Sequence, residues 1–232
     1  MSDIDIAHVK AAVHGAATLV QYARGDGWTE CASRPELSLV ISRTPVAGSP
    51  LARFRAVGEL PFPPDAVLRT LCDCPRRLQW DGSVHHLDVI ELPHGEAAVS
   101  RDSSSQLTLP KEYLAPTRCY LLHSQTRPVG PISARDFVDA CAVDAIGDGA
   151  YVNGGASVPD ARFPERSGVV RGWNSPGGGW IVEPLQIDNR GLHTRLSYVV
   201  HSDIKGWIPS AVINHALIRF VVILRPAVCY HM

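Results

Sequence analysis

The stretch Gly130-Pro131-Ile132-Ser133-Ala134-Arg135-Asp136-Phe137-Val138-Asp139-Ala140-Cys141-Ala142-Val143 is a strand-like run with a cation in an awkward phase. Side chains two apart on a strand share a face, so Arg135 travels with Phe137, Cys141 and Val143. If those three point inward, Arg135 does too. A guanidinium cannot shed its proton, so burial demands a carboxylate, carbonyl oxygens or a polar ligand. The alternative is an edge strand with the stem on the surface and the head in water. Asp136 and Asp139 fall on opposite faces, and a bulge would reset the phase.

Downstream, strands are expected at Arg135 to Asp144, Ala150 to Val158, Gly168 to Trp173, Trp180 to Pro184 and Leu192 to His201. Gly-rich or Pro-rich turns such as Gly147-Asp148-Gly149 and Pro176-Gly177-Gly178-Gly179 join them. Ile208, Val212, His215, Ala216, Arg219, Phe220 and Ile223 then recur at helical spacing until Pro226.

Upstream, the segment from Ser103 to Gly130 has no clear period and contains Pro110, Pro116 and Pro128, so it is expected to be a long loop. Before it, Val84 to Leu92 and Glu96 to Asp102 form a hairpin around Pro93-His94-Gly95. Asp65 to Cys72 follows a run of prolines and suits a short helix with Val67, Leu68 and Leu71 inward. Trp28 to Cys31, Leu37 to Ser42 and Leu51 to Glu59 read as a three-stranded meander. Apolar residues at 9, 12, 13, 16, 19, 20 and 23 make one face of an opening helix that Gly25 and Gly27 end. The order is α+β: a curved antiparallel sheet clasped by a long C-terminal helix, in one domain over 1–232. A long loop at about 103–131 interrupts it, and an irregular tail at 226–232 ends it.

The 22 basic and 23 acidic residues leave no cationic excess, which argues against nucleic acid as the main partner. Six scattered cysteines, without a basic and apolar leader, point to a reducing, cytoplasmic setting with free thiols. Phe220 to Leu224 is the longest apolar run and far short of the roughly 20 residues that span a bilayer. The ending Cys229-Tyr230-His231-Met232 has the outline of a prenylation box, but Tyr and His occupy its aliphatic positions.

Most catalytic signatures are missing: no P-loop, no dinucleotide-binding glycine fingerprint, no His-Glu-x-x-His, no Cys-x-x-Cys and no nucleophile elbow. Cys72-Asp73-Cys74 is too closely spaced for a zinc knuckle. His85-His86 could join Asp81 or Asp88 around a metal, but adjacent strand residues face opposite ways, so surface histidines are the reading preferred. Neither a cofactor, a metal nor an enzymatic activity is expected.

Several motifs recur in one order: Arg135-Asp136-Phe137-Val138 after Gly130-Pro131, Val169-Val170-Arg171-Gly172, Trp180-Ile181-Val182-Glu183-Pro184-Leu185, and Gly206-Trp207-Ile208-Pro209 with Asn214. Tyr22 with Gly27-Trp28, and Trp80-Asp81, extend the pattern upstream. Together they resemble the START family, the steroidogenic-acute-regulatory-related lipid-transfer domains, over roughly residues 6 to 225. The look is closest to single-domain members that carry sterols or bile acids.

That resemblance implies a helix-grip fold, in which sheet and C-terminal helix enclose a tunnel for one lipid. It further implies that Arg135 lies in the tunnel and faces an acid on the preceding strand, here Asp102. Ser100 would assist in receiving a hydroxyl or carboxylate, with Phe137, Trp173, Trp180, Ile213 and Leu217 as walls. The lid would open at a membrane through Arg127, Pro128, Val129, Trp207 and Ile208, with Trp207 suited to the bilayer interface. The expected ligand is a sterol, bile acid or phospholipid, the expected state a monomer. Two rival readings are an enzyme on the same scaffold, for which His123 and Asp102 are the pair to test, and a lipid sensor that regulates a protein partner.

Overall fold

The computed structural model describes residues 2–93, 118–128, 132–187 and 191–206. The chain opens with α1 (Asp3–Arg24), which begins six residues before the apolar periodicity because its first turn is a polar cap. The Ser2 hydroxyl accepts from the Asp5 amide, Asp3 and Asp5 sit at the positive end of the helix dipole, and Arg24 sits at the negative end. Val9, Ala12, Val13, Ala16, Leu19 and Val20 are all buried.

The meander follows as β1 (Thr29–Arg34), β2 (Leu39–Thr44) and β3 (Arg53–Leu60). Pro64 then starts α2 (Pro64–Cys72), where a missing amide hydrogen costs nothing. Asp73 caps α3 (Cys74–Trp80) by accepting from the Arg76 amide. The turn after α3 is held by Asp81, which is wholly buried and accepts from Arg77 and Ser83.

The remaining strands are β4 (Val84–Glu91), β5 (Arg118–Thr126), β6 (Arg135–Ala145), β7 (Tyr151–Ser157), β8 (Val170–Arg171), β9 (Trp173–Asn174), β10 (Gly178–Ile187), β11 (Gly191–Val200) and β12 (Ser202–Asp203). The strand β5 corrects the expectation of a loop over 103–131. Its run Cys119-Tyr120-Leu121-Leu122-His123 is covered on both faces, so the alternation that marks a half-buried strand is missing. The hairpin arm expected at Glu96 to Asp102 and the terminal helix expected from Ile208 lie outside the described residues, as does the tail.

Ten strands form one curved sheet in the order β1-β2-β3-β11-β10-β7-β6-β5-β4, antiparallel throughout, with β8 added in parallel beside the start of β6. A separate small ribbon joins β12 to β9. Pairing of β6 with β5 and β7 runs without a register shift, so its faces alternate cleanly.

One face, the outer one, is covered by α1, whose apolar side packs on Leu121, Val138, Ala140, Ala142, Val152, Ile181 and Val199. The approach is close because it is made through glycines: a Cβ on Gly15 would lie 2.4 Å from the backbone of Gly155. The opposite, inner face is partly covered by α2, where Val67 and Leu71 pack on Trp180, Val182 and Leu196.

Candidate functional site

With α1 packed over the centre of the outer face, the inner face is the one open to a lipid-sized ligand among the described residues. The strand alternation sends Arg135, Phe137, Asp139, Cys141 and Val143 to the inner face, and the cross-strand register adds Tyr120 and Leu122 from β5, Asn153 and Ser157 from β7, Trp180 from β10 and Tyr198 from β11. Most of this surface is apolar or aromatic. The Trp180 and Tyr198 rings stack with centroids 4.1 Å apart, and Tyr120, Cys141 and Val143 form a buried cluster against Leu68, Val89 and Leu122.

Several polar groups interrupt it among the described residues, including the Glu91–Arg118 ion pair at the β4–β5 edge and the three that follow. The Arg135 guanidinium donates to the carbonyl oxygens of Ser133, Ile204 and Lys205, the last two at 3.1 Å. Main-chain carbonyls therefore meet the demand that the sequence raised, and β6 begins tied to the segment after β12. The expected partner Asp102 lies outside the described residues, as does Ser100.

The second group is centred on Asp139. Its carboxylate accepts from the Ser157 hydroxyl at 2.6 Å and from the Asn174 amide at 2.8 Å, and Ser202 in turn donates to Asn174. Desolvation raises the Asp139 pKa above the usual carboxylate range, although the two donors oppose it. The third group is the Tyr120 hydroxyl, which donates to Asn153 at 3.0 Å, while the Asn153 amide reaches the Cys72 sulfur at 3.4 Å. Burial pushes the Cys72 thiol up to about 11.

A different polar network occupies the outer face. Asp136 is only 1% exposed and accepts two hydrogen bonds from Arg171, at 2.9 and 2.8 Å. Arg171 also donates to the Phe163 carbonyl, and the His123 Nε2 lies 3.1 Å from the same Asp136 carboxylate. Desolvation raises the Asp136 pKa, but the Arg171 guanidinium and His123 outweigh it and hold the carboxyl low. His123, the expected member of an acid–base pair, thus points away from the inner face and stacks on Phe163 at 4.7 Å. That removes it from any chemistry on an inner-face substrate.

Trp173 stands off the main sheet, 41% exposed on the short ribbon with Asp203. Phe137 and Trp180 are buried on the inner side, and Gly172 passes against the Phe137 ring so closely that a Cβ would lie 2.3 Å from it. Arg127 and Pro128 are exposed after β5. Val129, Trp207, Ile208, Ile213 and Leu217 lie outside the described residues. A crevice of about 590 Å³ between the start of α1 and the 158–165 segment, touching His8, Asp160 and Phe163, belongs to the α1 side and not to the inner face. Asp139 escaped the sequence reading because its partners, Ser157 and Asn174, are 18 and 35 residues away.

Fold and site together define an α+β helix-grip domain whose inner sheet face, among the described residues, is largely apolar with a few fixed polar groups. The chain matches the model of the START domain over residues 16–222 and belongs to that family. It is 27% identical to StAR-related lipid transfer protein 5 of Homo sapiens over 224 residues, 92% of each chain. It is 23% identical to the steroidogenic acute regulatory protein of Xenopus laevis over 193 residues, 83% of this chain and 59% of that protein. The solved structure of human StAR-related lipid transfer protein 5 superposes with a TM-score of 0.76 at 23% identity, covering 97% of this chain and 99% of the other. Among the described residues, no helix is long and apolar enough to cross a membrane.

Proposed function

We propose that this protein binds one lipid against the inner face of its sheet and transfers it between membranes without changing it chemically. The observation that carries this reading is the division of the sheet: α1 covers the centre of one face, and the other presents Phe137, Trp180, Tyr198 and Val143 around a few fixed polar groups. Such a mixture suits a ligand held by area and oriented by few hydrogen bonds. Membership of the START family and the likeness to a lipid transfer protein support the same reading.

Burying ~300 Å² of apolar lipid surface is worth roughly 7 kcal/mol at 25 cal/mol per Å², before the losses of association are subtracted. A sterol-like molecule fits because its single hydroxyl needs one polar partner. Asp139 is that partner: as a carboxylate it accepts the hydroxyl hydrogen, and protonated it donates to the hydroxyl oxygen. Arg135 orients the site indirectly, by fixing the carbonyls of Ile204 and Lys205 beside the start of β6. The protein acts as a cytoplasmic monomer that meets membranes transiently, with Arg127 and Pro128 exposed at the rim of the β5 to β6 connection.

The test is transfer of fluorescent sterol and, separately, fluorescent phospholipid from donor to acceptor vesicles. Transfer of one class well above the spontaneous rate, slowed in Val143→Phe, is the expected result. No acceleration for any lipid, or conversion of the lipid to a product, would overturn the reading.

A further inference from the structure

The edge strand β4 carries a bulge at His85: Val84 pairs with Thr126, but His86 pairs with Gln125. A regular strand would put residues 84 and 86 on one face. The extra residue lets Val84 point inward, where it is buried, while His86 turns to the outer face beside Asp88. Asp88 stands directly opposite His123 on β5. One nitrogen from each histidine and one Asp88 oxygen consequently fall within 4.8 Å of one another.

The arrangement has the components of a metal centre and not only of a hydrogen-bonded chain. His86 Nε2 lies 2.7 Å from the Asp88 carboxylate and His123 Nδ1 lies 3.4 Å from the same oxygen. Ligands about 2.0 to 2.2 Å from a zinc ion are separated by roughly 3 to 3.5 Å, so the His123–Asp88 spacing already fits and the His86–Asp88 spacing must widen by a few tenths of an ångström. His86 and Asp88 side chains are 46% and 47% exposed, which gives an ion access and lets His86 move.

The third ligand is fixed from behind. His123 is 1% exposed, and its other nitrogen faces Asp136, giving the carboxylate–histidine pairing that orients metal-bound imidazoles. Arg171 neutralises Asp136, and Arg166 lies 3.5 Å from Nε2, on the side of the ring away from Nδ1. The Asp88 carboxylate is then the negative charge available to an ion at the surface.

We infer that His86, Asp88 and His123 form a binding site for a divalent transition metal of the zinc class, set on the outer face and clamping β4 to β5. Two imidazoles and one carboxylate suit Zn²⁺, Ni²⁺ or Cu²⁺ over Mg²⁺ or Ca²⁺, and leave at least one coordination position to water. The site is separate from the inner face, so it would stabilise the sheet edge without touching a bound lipid.

Calorimetric titration of the chelator-treated full chain with Zn²⁺ tests this, alongside the absorption spectrum with Co²⁺. The expected result is one Zn²⁺ per chain, a higher melting temperature with the ion, and a Co²⁺ spectrum lacking the thiolate charge-transfer band. His86→Ala and Asp88→Asn should each weaken binding at least about tenfold, while His85→Ala should leave it unchanged. Both ligand variants alter half-exposed side chains, and their melting temperatures without metal verify folding. Absence of saturable binding, equal affinity in His86→Ala, or a thiolate band placing the ion on cysteines would overturn the assignment.

Discussion

Replacing Gly15 by Ala pits helix propensity against packing. In the middle of α1, Ala should favour the helix by about 1 kcal/mol over Gly. The new methyl carbon, however, would sit 2.4 Å from both the carbonyl carbon and the oxygen of Gly155, where ordinary contacts begin near 3.4 Å. The obstacle is backbone, so no side chain can rotate away. Gly155 is itself wedged, since its own Cβ would lie 2.2 Å from the Ala140 oxygen. About 1 Å of separation between α1 and β7 is needed, and it would loosen Ala12, Ala16 and Leu19, each of which is 0% exposed. Overpacking typically costs about 1 to 3 kcal/mol, and here belongs at the upper end, leaving a net loss of roughly 1 to 2 kcal/mol. Urea titration of Gly15→Ala should show it, with a melting temperature lower by about 2 to 8 °C. Lys10→Ala, exposed on the same helix, is the control. A Gly15→Ala protein as stable as the parent, or more stable, would refute the close seating of α1 and with it the covering of the centre of the outer face.

Arg171→Met should destabilise the fold by about 3 to 5 kcal/mol, because it strands the Asp136 carboxylate at 1% exposure; urea unfolding measures it. Asp139 titrates above the usual carboxylate range in the folded state, so the fold holds its proton longer than the unfolded chain does. Its contribution is then fully present below the unfolded pKa and lost as pH rises through the folded value, and Asp139→Asn should flatten that slope in urea midpoints measured against pH. Cys72 and Cys119 thiols, both pushed to about 11 by burial, should resist a thiol reagent at pH 8 until the protein unfolds, whereas exposed Cys31 reacts at once.

The strand alternation around Arg135 was legible because β6 runs without a register shift, so inward residues could be named from spacing alone. The source of Arg135's partners was not, since carbonyls at 204 and 205 carry no side-chain signal. Two kinds of feature escaped for different reasons. The strand β5 is covered on both sides and loses its period, and the Asp136–Arg171 pair joins residues 35 apart that only the parallel addition of β8 brings together. His86 shows a third case: neighbouring histidines on a strand do diverge, but the bulge at His85 gives His86 a partner across the strand that spacing could not show.

The proposed binding of one lipid on the inner face is open to direct measurement. Native mass spectrometry of the protein purified from cells, followed by extraction and identification of what is released, measures this directly. The expected species is heavier than the chain by the mass of a single lipid, and it is reduced in Val143→Phe. A protein that never carries a lipid, even after incubation with vesicles of mixed sterol and phospholipid, would contradict it.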